Sequence, residues 1–210
     1  MSQRRFWIII PCRGLDRGKT RLGPVLGPAE RRRFAGESLR HVVRTARKIA
    51  GASRTLVVSG SGEVMGLARR LGVLARAQAR PELNAAVRDA ASFVRRRGAS
   101  GIAVLHADLP QLSKHDVACL LQALSRQSGI VLAPDRHCEG TNALALRPAV
   151  QFDFGFGSGS FSKHRSAARR CRIRIRVLAR PGLAADVDTA EDYQALEHAR
   201  APVPSRNAVA

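Results

Sequence analysis

The chain is predicted to fold as a single α/β domain, a mostly parallel mixed sheet covered by helices on both faces. Three observations carry that prediction. Short apolar runs alternate with stretches of helical period along nearly the whole chain. The first run, Phe6-Trp-Ile-Ile-Ile-Pro11, is continuously apolar, as in a central strand buried on both faces. With 210 residues, 45% of them hydrophobic, the chain can bury one substantial core. The expected domain spans residues 1–198, and the small, polar, proline-bearing stretch 199–210 reads as a disordered tail.

After the first strand, a polar loop with several glycines runs from Cys12 to Gly27. Pro28 suits the first turn of a helix whose apolar positions Phe34, Leu39, Val42, Val43, Ala46 and Ile49 recur near helical spacing, and Gly51 ends it. A strand at Thr55 to Ser59, a helix at Glu63 to Leu71 and a short strand at Val73 to Ala75 complete a βαβαβ run. The next helix, Glu82 to Arg97, has the inner stripe Leu83, Val87, Ala90 and Val94 and stops at Gly98. It leads to a strand at Ile102 to His106. Ser113, with Asp116 three positions on, starts another helix as a capping residue. Ile130 to Ala133 and Ala143 to Leu146 read as strands, the second as an antiparallel candidate. A glycine-serine loop, Gly155 to Ser160, enters a basic helix, followed by the alternating strand Cys171 to Leu178. Thr189 caps the final helix with Asp192.

The formal net charge of +20 invites a nucleic-acid reading, since basic surfaces release counterions from phosphate backbones. Its distribution argues against one. Arginines occur in almost every segment, mostly on predicted outer helix faces, and aromatic residues are only 4%, so stacking platforms for single strands are largely missing. Nucleic acid is therefore not the expected partner. No run approaches the ~20 apolar residues that span a bilayer, and the apolar start lacks a signal-peptide cleavage site, so a cytoplasmic protein without membrane contact is expected. Cys12, Cys119, Cys138 and Cys171 form no C-x-x-C pair and read as reduced structural thiols. A homodimer is compatible with the sequence.

In a parallel sheet, ligands bind outside the carboxyl ends of the strands. The loop Gly14-Leu-Asp-Arg-Gly-Lys19-Thr20-Arg21 sits there after the first strand. It misses G-x-x-x-x-G-K-[ST] because position 13 is arginine, yet its backbone N–H groups with Lys19 and Arg21 suit a polyphosphate. The alternative is a surface loop with two solvated cations. Asp108 stands at the end of Ile-Ala-Val-Leu-His-Ala-Asp108-Leu-Pro110. Asp186 and Asp188 end a strand-like segment two residues apart, which in extended chain puts both carboxylates on one face. Three converging carboxylates repel unless a divalent cation resolves the repulsion, and oxygen ligands favour Mg²⁺. On spacing alone, Asp188 can equally serve to cap the final helix.

These segments, together with Ala107-Asp-Leu-Pro110, Ala133-Pro-Asp-Arg136, Gly140-Thr-Asn-Ala-Leu144, Phe156-Gly-Ser-Gly-Ser-Phe161 with His164, and Asp186-Val-Asp-Thr189, resemble the 2-phospho-L-lactate guanylyltransferase family. The resemblance runs from about Trp7 to Leu196. It implies a GT-A-like, Rossmann-like nucleotidyltransferase fold and transfer of GMP from GTP to a three-carbon phospho-acid in deazaflavin coenzyme biosynthesis. Position by position, it implies Mg²⁺ held by Asp108, Asp186 and Asp188, with Lys19 facing phosphate. It places Gly14, Lys19 and Asn84 near the nucleotide, Lys19, Arg21 and Asp108 at the reacting centre, and Thr141, Gly157 and Ser160 around the phospho-acid. Where the family often carries proline, this chain has Ser158. Among 2-phospho-L-lactate, phosphoenolpyruvate and 3-phospho-D-glycerate, that hydroxyl favours the last.

An acceptor phosphate is already anionic at neutral pH, so in-line attack on the α-phosphorus of GTP needs no side-chain base. His106 and His164 are accordingly expected to be structural or peripheral rather than catalytic. The competing readings are a nucleotidyltransferase acting on another phosphorylated acceptor and a basic nucleic-acid-binding protein.

Overall fold

The computed structural model describes residues 5–16, 19–126, 129–147 and 152–200. Its elements are β1 (Phe6–Pro11), α1 (Pro28–Ala50), β2 (Thr55–Ser59), α2 (Gly62–Arg70), β3 (Leu74–Ala77), α3 (Leu83–Arg96), β4 (Gly101–Leu105), α4 (Lys114–Arg126), β5 (Ile130–Pro134), β6 (Thr141–Leu146), α5 (Ser160–Arg170), β7 (Ile175–Val177), α6 (Pro181–Ala184) and α7 (Ala190–Arg200). The seven strands form one sheet in the order β3-β2-β1-β4-β6-β5-β7. β6 runs antiparallel to both of its neighbours, β4 and β5, whereas the other pairings are parallel.

Strand alternation divides the core into two layers. Ile8 and Ile10 of β1 face α1, α2, α4 and α6, packing with Leu39, Val42, Val64, Leu120 and Leu183. Trp7 and Ile9 point the other way, toward α3 and α5, among Val87, Ala90, Val94 and Phe161. A continuous apolar run is what this requires, because either face of β1 meets helices. A third cluster, Leu22, Leu26, Phe34, Val187 and Leu196, pins the loop after β1, the segment before α7 and α7 itself against α1.

The caps follow local chemistry. Pro28 opens α1, the Gly27 N–H donates to Glu30 Oε2 at 2.8 Å, and Gly51 closes the helix at φ 87°. Before α4, the Ser113 N–H donates to Asp116 Oδ2 at 3.0 Å and the Asp116 N–H donates to Ser113 Oγ at 3.1 Å. Asp116 also accepts from Arg180 Nε at 2.9 Å, bolting α6 to α4. Thr189 and Asp192 cap α7 in the same reciprocal way.

Two expectations need correction. The alternating segment Cys171 to Leu178 pairs only over Ile175–Val177, because Cys171 and Arg172 turn out of α5, with Arg172 at φ 53°. Asp186 and Asp188 are not in a strand. They lie in an irregular link between α6, which the sequence did not announce, and α7. Ala199 and Arg200 continue α7, while the remainder of the expected tail, 201–210, lies outside the described residues, as do Arg17 and Gly18 of the loop after β1. The four cysteines are free thiols, and burial pushes that of Cys12 up to about 11. Among the described residues, no helix is long and apolar enough to cross a membrane.

Candidate active site

A cleft of about 480 Å³ opens at the carboxyl ends of β1 and β4 and the start of β6, as the sheet topology requires. Its lining gathers Lys19, Arg21, Asp108, Asp186 and Asp188 with Thr141, Gly157 and Ser160. Sequence positions separated by up to 169 residues therefore meet at one site.

At its centre, Lys19 Nζ lies 2.7 Å from Asp108 Oδ2 and 2.7 Å from Asp188 Oδ1. Lys19 is in the left-handed conformation, φ 65°, which costs a non-glycine residue about 1–2 kcal/mol, and the two ion pairs hold it there. Burial disfavours its ammonium, but the two carboxylates outweigh burial and keep its pKa above the ordinary lysine value. For Asp108 burial acts the other way, raising the pKa, and the Lys19 charge overrides it to hold the carboxyl below its usual range. Asp186 differs: burial, then the nearby charges of Asp108 and Asp188, raise its pKa, although it accepts from Asn142 Nδ2 at 3.0 Å. The strand-based reason for the Asp186/Asp188 spacing fails. Its consequence survives, because the intervening Val187 is buried in the third core cluster while both aspartates line the cleft.

Among the described residues, no three His, Cys, Asp or Glu side chains are grouped to hold a metal ion, and an ammonium stands between two of the expected ligands. The donor chemistry still fits a hard divalent cation. Lys19 pairs with Asp108 and Asp188 but not with Asp186, whose pKa is raised by burial and by those two neighbouring carboxylates, and Asp108 Oδ1 is buried without a hydrogen-bond partner among the described residues.

The opposite wall is built from backbone-directed contacts. Asp135 accepts from the N–H groups of His137, Glu139 and Gly140 at 3.1, 2.9 and 2.7 Å, shaping the turn that delivers Thr141. Thr141 Oγ1 lies 3.0 Å from His164 Nδ1, and His164 Nε2 accepts from the Gly155 N–H at 3.0 Å. Gly157 at φ 119° and Gly159 at φ 65° make the turn into α5, conformations that favour glycine. Ser160 is buried at its first position.

Asn84, expected near the nucleotide, hydrogen-bonds the backbone of this wall. Its Nδ2 donates to the Phe156 carbonyl at 3.1 Å, and its Oδ1 accepts from the Phe156 N–H at 2.8 Å. Arg21 is exposed at the rim of the cleft, and Gly14 lines a neighbouring cavity of about 190 Å³ that shares Lys19 and Asp108 with it. A larger open groove of about 880 Å³ lies beyond β2 and β3, lined by Arg13, Ser61, Gln78, Arg80 and Glu82. Sequence reasoning did not single out Asp135 or Asn142, and it gave His164 no contact. The first two sit inside quoted motifs, where a turn-forming Asp and a strand-end Asn were the available signals.

A family model described as "Guanylyl transferase CofC like" matches residues 6–199. The chain belongs to this family. Phosphoenolpyruvate guanylyltransferase of Chloroflexus aggregans is 39% identical over 188 residues, covering 88% of this chain and 93% of the relative. The protein of that name from Rubrobacter xylanophilus is 41% identical, covering 90% and 92%. A 2-phospho-L-lactate guanylyltransferase from Methanothermobacter thermautotrophicus is 34% identical, covering 67% of this chain and 61% of its own. Among solved structures, one from Desulfovibrio desulfuricans, named with the nucleotide-diphospho-sugar transferases, superposes with a TM-score of 0.72 at 16% identity, covering 97% of this guanylyltransferase-family chain and 91% of the other. That last likeness concerns the fold.

Proposed function

We propose that the protein transfers GMP from GTP to the phosphate of phosphoenolpyruvate, releasing pyrophosphate, as a step in making a deazaflavin coenzyme. One observation carries the reading. A single cleft joins a lysine–carboxylate centre, suited to a polyphosphate, to a wall of hydroxyls and glycine backbone suited to a small anion. The earlier preference for 3-phospho-D-glycerate rested on Ser158 alone, which is exposed at the cleft. The names of the relatives favour phosphoenolpyruvate, with 2-phospho-L-lactate as the second reading.

In this reading an acceptor phosphate oxygen attacks the α-phosphorus in line, the new P–O bond forms, and the bond to the β-phosphate oxygen breaks with its electron pair leaving on pyrophosphate. Lys19 neutralises charge on the phosphates, and Arg21 meets them at the rim. Thr141 and Ser160 hydrogen-bond the phospho-acid, while Gly157 lets its backbone approach. Asp108, Asp186 and Asp188 would hold Mg²⁺, which when bound supplies further neutralisation of the triphosphate. The groove beyond β2 and β3 leaves room for the nucleoside.

The test is pyrophosphate release from GTP, ATP or CTP with each of the three phospho-acids. Release confined to GTP with phosphoenolpyruvate or 2-phospho-L-lactate is expected, and release with none of the nine pairs would refute the function.

A further inference from the structure

We propose that His164 is a positioning residue of the acceptor site: its ring aims the Thr141 hydroxyl so that Thr141 donates a hydrogen bond to an anionic oxygen of the phospho-acid. The proposal rests on the acceptor role of Thr141 given above and adds to it the residue that sets the direction of the bond.

The argument begins with a group whose role is fixed. A backbone N–H can only donate, so the Gly155 N–H, 3.0 Å from His164 Nε2, requires a lone pair on that nitrogen. The proton of the neutral ring then resides on Nδ1. From there it donates to Thr141 Oγ1 at 3.0 Å. Having accepted that bond, the hydroxyl keeps its own hydrogen for another partner, and Thr141 lines the cleft. The opposite tautomer would reverse the outcome. Thr141 would donate to Nδ1 and turn only lone pairs toward the cleft, which repel a carboxylate or a phosphate.

The surroundings hold the ring in place. His164 is fully buried, and the Phe156 ring meets it edge-on at a centroid distance of 4.8 Å, with Phe152 at 5.6 Å. Phe156 is itself fixed through its backbone by Asn84. Burial, followed by the influence of His106 and Lys163, pushes the His164 pKa down to about 4, so the ring is neutral at neutral pH and Nε2 remains an acceptor. Buried histidines generally satisfy both nitrogens, so what sets this one apart is where its partners lie. Here one nitrogen reads the backbone of the Gly155–Ser160 loop and the other acts on a residue of the cleft.

Two experiments test this. In protein labelled with ¹⁵N-histidine, long-range proton–nitrogen spectra should show His164 neutral with the proton on Nδ1. An Nε2–H tautomer or an imidazolium at neutral pH would overturn the proposal without any substitution. In kinetics, His164→Gln keeps an acceptor near the position of Nε2 but loses the Nδ1 donor, so the KM for phosphoenolpyruvate should rise about tenfold with the GTP KM within about twofold of wild type. His164→Asn, which returns an N–H near the position of Nδ1, should recover most of the loss. Thr141→Val should also raise the acceptor KM, and adding His164→Gln to it should change that KM by no more than about twofold, because the two act as one unit. If Thr141→Val leaves the acceptor KM unchanged, the acceptor role of Thr141 falls and the proposal with it. If Thr141→Val raises KM but the two effects multiply independently, the acceptor role stands and the role of His164 falls.

Discussion

The two walls of the cleft are assembled by different forces. On one side Lys19, Asp108 and Asp188 hold one another by charge, and Asp186 stands beside them with its pKa raised. On the other, Asn84, Asp135 and His164 grip main-chain N–H and C=O groups, so the Gly155–Ser160 loop is shaped before any ligand arrives. A charge-held wall with three carboxylates against one ammonium is built to exchange partners, with phosphate and a cation able to enter the balance. The backbone-held wall is built to keep one shape. Substitutions on the first should therefore act on turnover, and substitutions on the second on recognition of the acceptor.

The largest effect should come from the charged wall. Lys19→Ala is expected to lose about 2–4 kcal/mol of transition-state stabilisation, measured as kcat/KM with both substrates varied. Asp108→Asn should likewise lower turnover by orders of magnitude while leaving the thermal midpoint close to wild type. Equal losses in acceptor KM alone would erase the distinction between the walls.

On the backbone-held wall, Asn84→Ala leaves the Phe156 N–H and C=O without their partners, a cost of about 1–3 kcal/mol. The expected result is a raised acceptor KM with the GTP KM little changed, and steady-state kinetics with each substrate at saturation would show it. A rise confined to the GTP KM would return Asn84 to the nucleotide.

Asp116 tests how the charged wall is carried, because its pairing with Arg180 docks α6, from which the chain runs to Asp186. Burial raises its pKa, but hydrogen bonds from Ser113 and Arg180 outweigh burial and leave it depressed. A depressed carboxyl contributes stability that is fully present above the unfolded pKa near 3.8 and is lost as pH falls through the lower folded value. Asp116→Asn should therefore destabilise by about 1–2 kcal/mol at neutral pH, and urea melts should show the difference shrinking below about pH 4. The smallest expected effect is that of Ser160→Ala, about 1 kcal/mol in the acceptor KM with GTP binding unchanged.

The two walls were also unequally legible in the sequence. Apolar runs and caps are local signals, so β1, α1, the Ser113–Asp116 box and the Thr189–Asp192 box were readable from neighbouring residues. Asp108, Asp186 and Asp188 were legible as carboxylates at the ends of strand-like segments, and Lys19 as a cation of the loop after the first strand. Their pairing depends on a left-handed lysine, and no sequence period reports that. The backbone-held wall was less visible, since His164 acts on Thr141 across 23 positions and Asn84 on Phe156 across 72. The strand assigned to Asp186 and Asp188 failed for a physical reason: Val187 is buried in a core cluster, and one apolar residue between two acids gives the alternation of a strand without a neighbouring strand to pair with.

The central claim is that the two walls serve one reaction, with GTP phosphates on the charged side and a phospho-acid on the other. The most direct measurement is the product formed from GTP labelled with ³²P at the α-phosphate and phosphoenolpyruvate labelled with ¹³C. A single product carrying both labels, formed in step with pyrophosphate and strongly diminished by Lys19→Ala, is predicted. Pyrophosphate release that proceeds equally without any phospho-acid, with the label recovered as free GMP, would contradict the account.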